Sequence, residues 1–154
     1  MSVSRWLIFL IFSFFISCNS DQIYSNKITL DSPYWLYKDS LKYEFTITDT
    51  AQNYTMELDV NHIDTFGFEN CYVQIHSVYP DGTSKNDVLS LEFADASGQW
   101  LGKNSGSKWL VPIALQPVAR FKQTGKYTMA FYQHNRVDSL AGIESMKLMI
   151  SKLK

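Results

Sequence analysis

Beyond residue 40 the chain alternates apolar and polar positions again and again, the spacing of strands that bury one face. Leu41, Tyr43, Phe45 and Ile47 point one way, and Lys42, Glu44, Thr46 and Thr48 the other. Tyr54, Met56, Leu58 and Val60 make a second such face, and Cys71, Val73 and Ile75 a third. Leu89, Leu91 and Phe93 follow, then Trp109, Val111 and Ile113, then Tyr127, Met129 and Phe131, and last Met146, Leu148 and Ile150. Turn chemistry separates these runs. Asp49 to Asn53, Pro80-Asp81-Gly82, Ser97-Gly98, Asn104-Ser105-Gly106 and Thr124-Gly125-Lys126 supply the preset φ of proline, the side-chain caps of Asp and Asn, and the freedom of glycine. No long segment repeats every 3.6 residues; a short helical turn is expected near Val137 to Ala141. The pattern predicts an all-β fold, an antiparallel β-sandwich, with jelly-roll and immunoglobulin-like strand orders both open.

The N-terminus follows a different rule. Arg5 precedes an apolar run from Trp6 to Ile16 that only Ser13 interrupts, and polarity begins abruptly at Ser17-Cys18-Asn19. These are the parts of an export signal, and the run is short of the roughly 20 apolar residues that span a bilayer. The box Phe15-Ile16-Ser17-Cys18 places a cysteine at the expected cut. Residues 1–17 are thus predicted to be a signal peptide, Cys18 the lipidated first residue, 18–30 a polar tether, and 31–154 one domain. Several acyl chains on Cys18 anchor stably where one does not. Asn19 after the cysteine fits an outer-membrane location. Without residues 1–17, 137 residues remain, enough for a sizeable single core. Of 14 Lys and Arg against 15 Asp and Glu, Arg5 leaves with the signal, so 13 − 15 gives a net charge of −2. No basic stripe points to nucleic acid.

Candidate chemistry is sparse. His62, His76 and His134 are too far apart for a local metal motif, so neither a metal nor a cofactor is expected. No Gly-x-Ser-x-Gly elbow occurs. Cys71 and His76, five apart on one strand, face opposite sides and do not form a thiol pair. Glu57 and Asp59 read as a solvated sheet face rather than a catalytic carboxylate pair. Cys71 sits in an apolar series and reads as a small buried hydrophobe. No enzymatic activity is expected. The aromatics leave two readings open. Trp35, Trp100 and Trp109 could form an exposed sugar-stacking platform, or they could plug the core.

The loop Gly98-Gln99-Trp100-Leu101-Gly102, Gly106 beyond it, and the series Gln133, Arg136, Leu140, Gly142 and Ile143 stand in an order that, with Trp35, Asn70 and the lipoprotein start, resembles the gliding-motility lipoprotein GldH family. The resemblance covers nearly the whole chain from Cys18. Asn135 stands where that family usually has Met, and Asn61-His62 replaces an Arg-Asn-rich entry to the middle strands. The resemblance implies a non-enzymatic, lipid-anchored envelope component of surface gliding, tied to type 9 secretion and acting through other envelope proteins. Trp100, Leu101, Gly102, Gln133, Arg136 and Gly142 are then expected either to meet a partner or to fix loops. For Arg136, one of two arginines after the signal, the residues themselves suggest a guanidinium clamp on the segment from Val137 to Ile143.

Overall fold

The computed structural model describes residues 21–154; the expected signal and Cys18 lie outside the described residues. Two antiparallel sheets form a sandwich. In chain order the strands are β1 (Gln22–Thr29), β2 (Tyr34–Leu36), β3 (Ser40–Ile47), β4 (Tyr54–Ile63), β5 (Asn70–Val78), β6 (Ser84–Glu92), β7 (Lys103–Ser105), β8 (Lys108–Ala119), β9 (Gly125–Gln133), β10 (Ser139–Ala141) and β11 (Ile143–Lys152). One sheet runs β1-β11-β4-β8-β7 and the other β3-β9-β5-β6, while β2 and β10 pair separately.

The alternation read from the sequence is the burial pattern. Along β3, Leu41, Tyr43, Phe45 and Ile47 are buried and every residue between them is exposed. The inward residues of β4 and β11 meet those of β3, β5 and β9 in one core, where Tyr43 lies edge-on to Phe131 and Phe45 stacks on Tyr127. Aromatics of this size contribute most of the apolar area a small sandwich removes from water. Cys71 is buried among them as a free thiol whose pKa is pushed up to about 12 by burial.

Two expectations fail here. Residues 22–29, read as tether, form β1, which pairs with β11 from Gln22↔Ser151 to Thr29↔Ser145. An edge strand half open to water can be polar, and only Ile23, Tyr24 and Ile28 pack on the core. The expected helical turn near Val137 to Ala141 is instead a run of bends leading into β10, whose Leu140 pairs with Trp35 of β2. Both of those side chains are buried and close the end of the sandwich.

Chain direction gives the sandwich two unlike ends. Residue 21, the turns 48–53, 79–83 and 120–124, and the C-terminus share one end, where Asp21 accepts at its carbonyl from Lys152 N and pairs by its carboxylate with Lys154. The segments 30–39, 64–69, 93–107 and 134–142 share the other. Strands of eight to ten residues separate the two ends by roughly 30 Å.

Candidate functional site at the distal loops

The long segments gather at the end farthest from residue 21, and what holds them is polar. Asp95 Oδ1 accepts from Ser97 N at 2.8 Å, Ser97 Oγ at 2.6 Å and Gln99 N at 3.1 Å, which closes the turn before Trp100. The same bonds hold the Asp95 carboxyl below its usual pKa. Leu101 N then donates to Phe93 O at 2.7 Å. Gly102 stands at φ +85°, and a Cβ there would lie 2.1 Å from the Leu110 carbonyl oxygen, so only glycine fits.

Behind this loop sits His62. Its ring is fully buried, stacked on Phe93 at 5.1 Å and met edge-on by Trp100 at 4.7 Å, with Phe66 at 5.6 Å. Nδ1 lies 2.8 Å from the Ile63 carbonyl, which makes it the protonated nitrogen, and Nε2 has no hydrogen-bond partner. Burial lowers the His62 pKa, and the bond to Ile63 offsets part of that. His62 continues the inward series Tyr54, Met56, Leu58 and Val60, and that continuation was the sequence signal for a core histidine. Gly142, at φ +97°, lets Phe66 and Ile63 close on the same cluster. The sequence-chosen Trp100, Leu101, Gly102 and Gly142 therefore converge.

Gln133 and Arg136 belong to a neighbouring loop, and the two differ in role. Gln133 is fully buried; its Nε2 donates to Val137 O at 2.7 Å and its Oε1 accepts from Asn135 N at 3.1 Å. Asn135 in turn accepts from Tyr72 N at 2.7 Å. Arg136 is exposed at φ +57°, and its guanidinium makes no hydrogen bond or ion pair among the described residues. The clamp expected of Arg136 is supplied by Gln133.

Of the two readings left open for the tryptophans, the exposed sugar platform does not form. Trp35 is 2% exposed with its Nε1 donating to Asp39 O at 3.0 Å, Trp100 leans on His62, and Trp109 is half-buried on β8. The residues that do stand out at this end are Tyr34, Leu36, Tyr37, Phe68, Tyr72 and Leu101, all exposed. Tyr37 stacks on His134 with ring centres 6.2 Å apart. The four segments carry six carboxylates (Asp31, Asp39, Asp64, Glu69, Asp95, Asp138) against three cations (Lys38, Lys103, Arg136), a net charge of −3. The three turns at the opposite end, with Asp21 and residues 153–154, hold Asp21, Asp49 and Asp81 against Arg120, Lys122 and Lys154, a net of zero.

Residues 22–150, from the first residue of β1 to near the end of β11, match the model of the GldH lipoprotein family. This chain belongs to that family. A GldH-family relative, named a gliding motility lipoprotein GldH homolog, from Christiangramia forsetii, is 24% identical over 146 residues, covering 90% of this chain and 88% of that one. Lipid anchoring in the cell envelope is the family's shared character. Among solved structures, the VP2 subviral particle of infectious bursal disease virus superposes with TM-score 0.38 at 18% identity over 86% of this chain. The Gx strain of the same virus gives TM-score 0.32 at 17% identity over 85%. The GldH-family chain spans about a third of the length of those viral chains, 34% and 32%.

Proposed function

We propose that this GldH-family protein is an outer-membrane lipoprotein of the gliding apparatus, held by acylated Cys18, and that it works by binding an envelope protein through its distal loops rather than by chemistry. The carrying observation is placement. Among the described residues, six of the nine exposed large hydrophobic side chains lie at the end opposite residue 21. Only Asn19 and Ser20 separate Cys18 from residue 21, so the acyl chains would hold the opposite end close to the bilayer and lift the distal loops roughly 30 Å above it. Confinement to a surface raises the effective concentration toward a membrane-bound partner, so a modest interface suffices. Tyr34, Tyr37, Phe68 and Tyr72 have the chemistry of interface anchors, and the net charge of −3 around them suits a partner with a cationic rim. A link to the type 9 secretion apparatus, which the resemblance of the sequence implies, is part of the same proposal.

The test has two arms in a gliding host. Alkyne-palmitate labelling of wild type and Cys18→Ala reads the anchor, and label is expected in the wild type alone. Spreading motility of a Tyr37→Asp/Phe68→Asp double variant, still labelled and present at wild-type level, reads the surface, and a non-spreading colony is expected. Normal spreading of that variant would refute the distal-loop reading.

A further inference from the structure

Among the described residues, the three exposed large hydrophobics outside the distal end are Val88, Leu89 and Val118, and they lie on β6 and β8. These strands border one open side of the sandwich. On the other side β1 approaches β3 and narrows the gap, with Tyr24 of β1 packed 5.6 Å from Phe45. β6 pairs with β5 alone among the described residues, so the main-chain groups along its other edge face no strand. β8 pairs with the short β7 only at Lys108 to Leu110, which leaves its later residues on an open edge as well.

The two edges are not equivalent. β8 carries Pro112 and Pro117, which have no N–H to give, the usual way a strand refuses a neighbour. β6 has no proline in nine residues. Between the sheets at this side runs a groove of about 400 Å³ with Met56, Ile75, Leu89, Leu115, Phe121 and Met129 in its walls. Lys85 and Asp87, ion-paired at 2.7 Å, cover the groove toward the turn at 79–83. The groove-facing charge pair guards that half of β6; Leu89, two residues on, is unguarded.

We infer that β6 is a strand-addition site: an extended segment of a second, different polypeptide pairs with the free edge of β6 and sets alternate apolar side chains into the groove. Backbone geometry selects the occupant, since an open edge is satisfied along its length only by another strand. Charge selects its polarity. Arg120 lies at the groove end near residue 21, and Glu92 closes β6 at the distal end. The added segment therefore carries a carboxylate toward Arg120 and a cation toward Glu92. This inference does not depend on the distal-loop reading.

The probe is a blocked synthetic heptapeptide, Lys-Val-Thr-Val-Thr-Val-Glu, added to the full-length lipoprotein in detergent. The readout is amide hydrogen exchange along β6. Protection of β6 amides is expected. The same peptide N-methylated at the two threonines, whose N–H groups face β6 when the valines face the groove, should bind at least about tenfold more weakly, as the loss of two net hydrogen bonds requires. Leu89→Lys, with an unchanged melting curve, should lose the protection. Three results overturn the proposal: no protection at millimolar peptide, equal protection by the N-methylated peptide, or protection without peptide in a sample that sediments as a dimer, which would make a second copy the occupant.

Discussion

The hydroxyl of Tyr43, on β3, donates to the carbonyl of Met146, on β11, at 2.8 Å. The bond crosses from one sheet to the other inside the core, and burial drives the Tyr43 pKa upward, so the phenol stays protonated and able to donate. Tyr43→Phe keeps the ring and its edge contact with Phe131 but removes this tie. A loss of about 0.5–1.5 kcal/mol in unfolding free energy is expected from urea titration, with an unchanged m-value.

Gly102 gives the steepest single-residue expectation. Alanine would meet both the Leu110 carbonyl oxygen and a positive φ, whereas Gly106, at φ +69° in the hairpin between β7 and β8, has open space around it. Gly106→Ala should cost only the backbone term, about 1–2 kcal/mol. Gly102→Ala should cost clearly more, because the backbone must also move. Thermal melting of the two variants side by side checks the order.

His62 sets an acid limit on the fold. Its pKa is lowered in the folded state, so below the unfolded value of about 6.5 the unfolded chain binds the proton more readily. The stability that neutral His62 allows is complete above about pH 6.5 and drains as pH falls below it, with a slope of at most about 1.4 kcal/mol per pH unit. The carboxylates with lowered values, Glu44 and Asp81 at about 2 and also Asp95, lose their contribution at lower pH. His62→Phe should flatten the stability profile between pH 6.5 and 5 and leave the slope below pH 4 in place. Chemical denaturation across that range reads the difference.

At the 133–138 loop, two substitutions separate fixation from contact. Gln133→Leu leaves Val137 O and Asn135 N without their partner and should cost about 1–3 kcal/mol. Arg136→Gly removes an exposed side chain from a left-handed backbone and should leave stability equal or slightly higher. Any motility loss in Arg136→Gly at wild-type stability would then mark a partner contact.

How much of this was legible in sequence depends on how each residue is used. β3, β4, β5, β9 and β11 were readable because their inward positions are apolar without exception over three or four alternations. β1 was not: its outer edge faces water, and five of its eight residues are exposed. The first half of β6, Ser-Lys-Asn-Asp, reads as loop because its inward positions hold the charge pair Lys85 and Asp87. β2 and β10 are three residues each, shorter than any period can reveal. At the distal end the sequence named Trp100, Gly102 and Gly142, and both Gln133 and Arg136, but it offered a specific clamp only for Arg136. Charge suggested the arginine, while position favoured the glutamine, next inward after Tyr127, Met129 and Phe131. The convergence of four separate loops was a property of strand direction, which no local pattern carries.

Strand direction also decides how the molecule answers to force. β1 begins beside the C-terminus and runs away from it, and its ladder with β11 lies along the line from residue 21 to the distal loops. A pull between those two places would slide β1 along β11 and strain all of its register pairs at once. A pull between residue 21 and Lys154 would open the same ladder one pair at a time, starting with Asp21 and Lys152. The sandwich is thus mechanically anisotropic, stiff along the axis from residue 21 to the distal loops and weak between residue 21 and Lys154.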